Sequence, residues 1–304
     1  MTSPGPHGTS RGTPHGTRRP DTLAARVTAL LGSTHPGPTV VVTLLAVVLG
    51  ASSGLPLDRL VLLALAVLLG QASIGFANDW LDAGRDRAVG RTDKPVAQGR
   101  VSVAAVRTAA VASAALMLVP SYALGPAAGT AHLVLVASGW AYDLGLKRTP
   151  ASVVPFVVSF GLLPAVATLA AAPPAPPAAW AVAVGAVFGV AIHFTNVLPD
   201  LEDDARTGIA GLPHRLGRTR SGVTAFAALA VAAVLLLSGQ LGGDASTPGL
   251  VAAVVGTVVT LGIALVGVRL VIAGRVDRTL FRLIMVAAVL LVVQLALSGG
   301  TIVA

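Results

Sequence analysis

The sequence contains no cysteine, and charged residues occupy only 11% of its 304 positions. The missing cysteines exclude disulfide bonds, thiol nucleophiles and thiolate metal sites. The low charge excludes a water-soluble domain of this length, because such a domain needs far more charged surface. Aromatic residues are also sparse at 4%, whereas hydrophobic residues reach 54%. This composition is typical of a membrane protein.

The hydrophobic residues are gathered into long, nearly uncharged runs. Runs of about twenty such residues are long enough to cross the roughly 30 Å hydrocarbon core of a bilayer as helices. The runs are continuous rather than alternating, which favours helices over the strands of a membrane barrel. We therefore predict an all-α, polytopic bundle with about nine spans, near residues 37–54, 58–77, 102–121, 128–143, 151–171, 177–198, 221–241, 248–270 and 281–302.

The N-terminal segment has a different composition, rich in Pro, Gly, Ser and Thr and without an apolar core. Such a segment cannot bury enough apolar surface to fold by itself. We interpret residues 1–30 as a disordered cytoplasmic tail and residues 31–304 as one transmembrane domain.

Basic residues divide sharply between the two sides of the predicted spans. Twenty of the 21 lysines and arginines fall in the tail or beside alternate loops, and only Arg59 falls on the other side. The positive-inside rule then places the N-terminus and these loops in the cytoplasm, and nine spans place the C-terminus outside. Topology and anionic lipids thus account for the net charge of +8 without nucleic acid.

Acidic residues concentrate in two of the cytoplasmic loops, which hold eight of the 13. In the first loop, Asp79, Asp82 and Asp86 are spaced i, i+3, i+7, so a continuing helix would project all three from one face. Asn78 adds an amide oxygen four residues before Asp82. Like charges on one helical face repel each other, so we expect a cation to hold them together.

The second acidic cluster follows the sixth predicted span. Asn196, Asp200 and Asp204 are spaced i, i+4, i+8, and Asp203 lies one turn from Asp200. Oxygen ligands favour Mg²⁺, Mn²⁺ or Ca²⁺ over Zn²⁺, and Mg²⁺ commonly completes its shell with water and substrate phosphates. Two facing clusters of this kind suit magnesium ions that bind a diphosphate. The alternative is that each cluster forms surface salt bridges and only ends a span.

Basic side chains near the two clusters are candidates to contact the remaining phosphate oxygens. A basic loop beside a membrane needs no function beyond topology, so it is the neighbouring acids that single these residues out. The candidates are Arg91, Lys94, Lys147, Arg148 and Arg206.

At these residues the sequence resembles the UbiA superfamily of intramembrane prenyltransferases. "NDWLDAGRD", residues 78–86, matches the family motif NDxxDxxxD. "YDLGLKR", residues 142–148, resembles its YxxxK element, and "DLEDDARTGIAGLPHRLG", residues 200–217, resembles its DxxxD motif with the Gly and Leu-Pro landmarks that follow. Three motifs in the expected order, after predicted spans two, four and six, are far more specific than one. The likeness covers about residues 35–302.

The resemblance implies a transmembrane helical bundle around a central cavity, and a Mg²⁺-dependent enzyme that ionises a prenyl diphosphate. An allylic cation would form where the cavity excludes water, and Tyr142 would stabilise it through its ring or hydrogen-bond the diphosphate. The implied catalytic residues are Asp82, Asp200, Tyr142 and Lys147. Together with the spacing argument, the predicted metal ligands are Asn78, Asp79, Asp82, Asp86, Asn196, Asp200, Asp203 and Asp204.

The sequence departs from the family pattern at two places. The familiar Arg-Pro after the first motif is Lys94-Pro95 here, and lysine cannot make a planar two-pronged contact. Tyr142 and Lys147 are one residue further apart than in the strict element, which leaves Lys147 and Arg148 as alternative phosphate ligands.

Two further polar residues lie on the same helical faces as the acids. His193 is three residues before Asn196, and Gln71 is seven residues before Asn78. Either residue is a candidate to line an acceptor pocket. The alternative for each is a hydrogen bond that only joins two helices.

Several functions share these motifs. The preferred acceptor is an aromatic or quinone precursor; the alternatives are a glycerol-phosphate-type lipid precursor, cyclisation of the prenyl cation onto itself, and phosphoribosyl transfer to a polyprenyl phosphate. From another class, an ion-coupled transporter would place its acids near the bilayer midplane, beside broken helices and within an inverted repeat. A purely structural membrane protein would leave the paired acidic clusters unexplained.

Overall fold

A computed structural model describes residues 22–242, 247–275, 278–298 and 302–304. Within these ranges the chain is helical almost throughout and forms no β-strand, which confirms the predicted all-α class. The α-helices are α1 (Leu23–Gly32), α2 (Pro36–Ser52), α3 (Leu57–Ala88), α4 (Val103–Leu116), α5 (Leu118–Ala123), α6 (Pro126–Leu144), α7 (Val154–Thr168), α8 (Ala179–Val197), α9 (Leu201–Arg206), α10 (Leu212–Leu216), α11 (Arg218–Leu241), α12 (Thr247–Ile272) and α13 (Arg278–Ser298).

Helix α1 begins inside the segment predicted to be a disordered tail. Its first turn is capped by Thr22, whose hydroxyl accepts a hydrogen bond from the Ala25 amide at 3.2 Å. Helical structure therefore begins at Leu23 and not after residue 30. Residues 1–21 of the predicted tail lie outside the described residues.

Six helical segments in the described residues are long and apolar enough to cross a membrane. A seventh is counted if α1 and α2, which meet at 65°, form one bent span. The protein is thus a multi-pass membrane protein, as predicted, whereas the count of nine spans stays a prediction. The six segments are Leu57–Ala88, Val103–Ala123, Pro150–Thr168, Ala179–Asp200, Arg218–Leu241 and Thr247–Ile272.

The helices pack as a closed ring. Helix α6 packs against α7, α7 against α8, and α8 against α11. Helix α11 then packs against α12, and α12 against α13. Helix α3 packs against both α2 and α6, and α13 returns to contact α2, which completes the ring. The inward faces of α2, α3, α6, α7, α8 and α13 surround a cavity.

Glycines allow two of these helix pairs to approach closely. A Cβ atom at Gly75 in α3 would collide with the backbone carbonyl of Thr34, which lies just before α2. A Cβ atom at Gly189 in α8 would collide with the carbonyl of Phe156 in α7. Small residues let membrane helices pack backbone to backbone, and these two contacts fix walls of the cavity.

Helix α3 continues through the whole first acidic motif, whereas the α-helix is interrupted within the second acidic motif. Helix α8 ends at Val197, a short 3₁₀ turn covers Leu198–Asp200, and α9 begins at Leu201. Pro199 lies in that turn and has no amide hydrogen to continue the α-helical pattern. The i, i+4, i+8 spacing of Asn196, Asp200 and Asp204 therefore does not lie on one continuous helix.

Candidate active site

The cavity has a volume of about 610 Å³ and two chemically distinct ends. Its deep part is bounded by apolar side chains such as Leu135, Phe160, Leu163 and Phe188. At the other end, polar and charged side chains converge from the loops and helix ends. These are His35, Asn78, Asp82, Arg85, Arg91, Asp93, Lys94, Asp143, Lys147, Asn196, Asp200, Asp204, Arg278 and Arg282.

Lys94 holds the two outer aspartates of the first motif. Its ammonium group lies 3.2 Å from Asp79 and 3.0 Å from Asp86, and it donates a hydrogen bond to the Asn78 amide oxygen at 2.9 Å. Burial disfavours this charge most strongly, but the Asp79 and Asp86 carboxylates outweigh that effect and raise the pKa of Lys94. His35, at the N-terminus of α2, also contacts Asp79 at 3.0 Å. Asp79 and Asp86 are thus buried behind the cavity wall.

Lys147 contacts the central aspartate of the same motif. Its ammonium group lies 2.6 Å from Asp82 and 3.6 Å from Asp143, and all three side chains are buried. Asn78 donates hydrogen bonds to Asp143 at 2.8 Å and to Asp82 at 3.2 Å. Helices α3 and α6 are therefore joined through a buried polar network at the charged end.

Arg85 and Arg91 connect the two acidic clusters. Arg85 lies 2.8 Å from Asp82 and 3.3 Å from Asp204, so one guanidinium contacts both motifs. Arg91 contacts Asp200 at 2.9 Å and donates two hydrogen bonds to Asp93. These bonds lower the pKa of the Asp93 carboxyl below its ordinary value, against the opposing effect of burial. The clusters face each other across the cavity, as the sequence predicts.

The donor atoms suit a hard divalent cation, but cationic side chains hold them. Carboxylate and amide oxygens are the ligands that Mg²⁺ prefers. In the described residues, however, no group of three or more His, Asp or Glu side chains is arranged to hold a metal ion. Lys94, Lys147 and Arg85 lie against the acids instead. A bound ion would have to replace these contacts.

Tyr142 lies on the wall between the charged and apolar ends. Its ring packs edge-on against Phe156, with centroids 5.1 Å apart, and against His193, at 5.9 Å. His193 itself is fully buried, is absent from the cavity wall and bonds Ser152 at 3.1 Å. The ring of His193 therefore packs against Tyr142 away from the cavity wall, and its predicted place in an acceptor pocket finds no support in this arrangement. Gln71 does line the cavity.

The remaining predicted residues divide between the cavity and the surface. Asn196 lines the cavity despite the break in α8. Arg148 and Arg206 are exposed and do not line it, so their predicted phosphate contacts find no support in this arrangement. The side chain of Asp203 lies outside the described residues.

Several site residues escaped the sequence prediction. Asp143 follows Tyr142 directly and is four residues before Lys147, a helical spacing that signals a pair. Arg85 lies within the first motif but resembles an ordinary cytoplasmic basic residue. His35, Arg278 and Arg282 have no signal in the sequence, because only packing of the first and last helices brings them to the cavity.

A sequence profile of the UbiA prenyltransferase family matches residues 39–285. The chain belongs to this family. The matched region spans both acidic motifs and the element that contains Lys147. Comparison of this UbiA sequence with curated proteins gives no match.

Solved structures of UbiA proteins share the fold. A UbiA homologue from Archaeoglobus fulgidus, bound to GPP and Mg²⁺, superposes with a TM-score of 0.69 at 17% identity, covering 88% of this chain and 98% of that one. The apo structure of a homologue from Aeropyrum pernix K1 gives 0.70 at 20% identity, covering 84% and 96%. A digeranylgeranylglyceryl phosphate synthase gives 0.67 at 12% identity, covering 90% and 98%. Because the sequence identities are low, these structural similarities establish only that this UbiA chain has the same fold.

Proposed function

We propose that this chain is a Mg²⁺-dependent intramembrane prenyltransferase that ionises a prenyl diphosphate and transfers the prenyl group to an aromatic or quinone-precursor acceptor. The cavity supports this proposal above all, because facing carboxylates and cations lie at one end of an apolar chamber. That combination suits a substrate with a charged head and a lipid-soluble tail. The relatives bound to GPP or DMAPP with Mg²⁺ provide further support.

The acids and cations of the charged end would exchange partners when substrate binds. Asn78 and Asp82 on one side, and Asn196, Asp200 and Asp204 on the other, are the proposed metal ligands that line the cavity. Bound magnesium would neutralise the diphosphate as a leaving group. Lys147, Lys94 and Arg91, released from their carboxylates, would then contact phosphate oxygens.

The apolar wall would protect the prenyl cation from water. Tyr142 and Phe156 present aromatic rings where the charged end meets the apolar end. A ring face attracts a cation electrostatically, and surrounding apolar side chains keep water from capturing it. Diphosphate leaves towards the charged end with the electron pair of the breaking C–O bond. The acceptor then adds to the cationic allylic carbon and loses a proton, which the released diphosphate or water takes up.

The position of the acids argues against an ion-coupled transporter. Such a protein places its ionisable residues near the bilayer midplane. Here Asp82 and Asp86 occupy the last two turns of α3, and Asp200 and Asp204 follow the end of α8. We propose that this charged end faces the cytoplasm, where the basic loops should lie.

Mg²⁺-dependent release of pyrophosphate from prenyl diphosphates tests the proposal. Removing one charged group that stabilises a leaving group lowers kcat by about 100-fold or more, and we expect this for Asp82→Asn and for Asp200→Asn. The matched control is Glu202→Gln in the same loop, because Glu202 is exposed and pairs with Arg218. Unchanged rates in both aspartate variants would contradict the assigned roles.

Product analysis on the same protein distinguishes the acceptors. Mass spectrometry is carried out with a hydroxybenzoate, with glycerol phosphate and without acceptor. We expect a prenylated aromatic product. A prenylated glycerol phosphate would show that the acceptor is a lipid precursor, and a cyclised hydrocarbon would show that there is no acceptor. If no prenyl diphosphate released pyrophosphate, the proposed enzyme activity would be refuted.

A further inference from the structure

A second, smaller cavity lies beyond the apolar end of the first. Its volume is about 80 Å³, and every residue of its wall is apolar. Helices α2, α7, α8, α11 and α13 contribute to that wall. The residues that line both cavities, and so form the partition between them, are Leu45, Phe160, Leu163, Phe188 and Ala288.

Two aromatic rings make up the largest part of this partition. Phe160 in α7 and Phe188 in α8 pack edge-to-face, with centroids 5.9 Å apart. The helices that carry them pack closely, because Gly185 in α8 has no side chain to hold it away from the backbone carbonyl of Phe160 in α7. The rings are therefore held across the path from the main cavity to the small one.

Ile302 closes the far end of the small cavity. Its side chain is fully buried and lines the cavity wall. Its carbonyl accepts a hydrogen bond from the Ala178 amide at 2.7 Å, and the Ala304 amide donates to Pro176 at 3.0 Å. The last described residues are thus fastened to the loop before α8, and the apolar path ends there.

The depth of the partition corresponds to a short prenyl chain. With a rise of 1.5 Å per residue, Phe188 lies about 12 Å along α8 from Asn196 at the charged end, and Ala181 lies about 22 Å from it. Each prenyl unit adds four chain bonds of about 1.5 Å, or roughly 5 Å when extended. Two or three units therefore reach the rings, and a fourth would need the space beyond them.

We propose that Phe160 and Phe188 form a stop that limits the donor to about two or three prenyl units. This rests on the proposed function, since it assumes that the diphosphate lies at the charged end. The donor class is then geranyl or farnesyl diphosphate. The small cavity beyond the stop stays closed to the tail unless one of the two rings is removed.

Rates of pyrophosphate release with geranyl, farnesyl and geranylgeranyl diphosphate test the stop. A few misfitting methylenes change kcat/KM by tenfold or more, so we expect the unsubstituted protein to use geranylgeranyl diphosphate about tenfold less well than the other two. Phe188→Ala should raise the ratio of geranylgeranyl to geranyl kcat/KM by about tenfold. Phe188→Leu, which disturbs packing less, should shift the ratio in the same direction.

Two control variants separate the stop from general loss of packing. Ile192→Val changes a side chain of α8 one turn nearer the charged end that does not line the small cavity, and Ile302→Ala changes the wall beyond the stop. Neither should alter the ratio. An unchanged ratio in both Phe188 variants, or equal use of all three donors by the unsubstituted protein, would overturn the stop. Failure to cleave any donor would instead refute the proposed function.

Discussion

Two adjacent basic residues, Lys147 and Arg148, occupy opposite environments. They share a 3₁₀ turn, Leu146–Arg148, that follows Gly145 at the end of α6. Lys147 turns inward to the buried carboxylates, and Arg148 turns outward to solvent. The sequence spacing leaves the choice between them open, because a change from α to 3₁₀ geometry alters which residue faces inward.

Lys147→Met should destabilise the metal-free protein. The substitution removes the ammonium group 2.6 Å from Asp82 and 3.6 Å from Asp143 and leaves both carboxylates buried. Breaking a buried ion pair costs about 3–5 kcal/mol. We expect a lower unfolding temperature in detergent, with partial recovery on addition of Mg²⁺ and pyrophosphate.

The matched control is Arg148→Met, one residue further along. An exposed substitution of this kind changes the free energy of unfolding by about 0.5 kcal/mol or less. Equal losses in the two variants would show that Lys147 is not held in the buried network.

The sequence predicts the positions of some site residues and not of others. Helical spacing predicts that Asn78 and Asp82 share a face, and the structure places both on the cavity wall. The contact from Asn78 to Asp143 joins residues 65 positions apart. Such a pairing depends on how α3 packs against α6, and local spacing carries no information about it.

At the scale of the helices, the continuous apolar runs correctly predict which segments are helical. They do not predict where a helix is interrupted. Helix α3 extends to Ala88, and so presents the whole first motif on one element. Pro199 interrupts the segment after α8 within the run that spacing treats as one helix. Asn196, Asp200 and Asp204 still line the cavity, although they lie on three successive elements: α8, the 3₁₀ turn and α9.

Arg59 fastens the opposite end of the bundle. Its guanidinium donates to the backbone carbonyls of Leu124 at 3.0 Å and Ala170 at 2.7 Å. These carbonyls follow the C-terminal ends of α5 and α7 and have no partner further along a helix. Arg59, which the sequence analysis separates from the other twenty basic residues, thus joins three helices, a role that the charge count does not reveal.

Arg59→Met should therefore loosen that end of the bundle. Hydrogen bonds from a charged donor contribute about 1.5–3 kcal/mol, so we expect a loss of that size in the free energy of unfolding. Thermal unfolding in detergent measures it, with Asp58→Asn on the exposed neighbouring residue as the control. A loss no greater than in that control would contradict the fastening role.

For the whole molecule, hydrophobic composition predicts a multi-pass helical bundle, and charge asymmetry predicts its orientation. Closure of the ring between α13 and α2 is beyond such patterns, because it joins the two ends of the chain. The two-ended cavity follows from that closure. The family resemblance implies such a cavity. The position of its apolar partition depends on contacts between helices far apart in the chain, which the sequence does not show.

The predicted orientation can be tested with single cysteines, since the chain has none of its own. We expect a membrane-impermeant maleimide to label Ala127→Cys on intact cells, because that exposed residue follows Gly125 at the uncharged side. Arg148→Cys should be labelled only after permeabilisation. The reverse pattern would place the charged end outside the cytoplasm.

The contact of Arg85 with both acidic motifs has a consequence for selectivity. With every motif carboxylate of the cavity wall already beside a cation, ligand binding at this end amounts to ion exchange. A metal ion alone displaces the arginine and lysine groups and leaves them unmatched, and an anion alone does the same to the carboxylates. A ligand that brings both signs of charge would restore every pairing, so we expect the resting site to favour it over a metal ion or an anion that arrives alone.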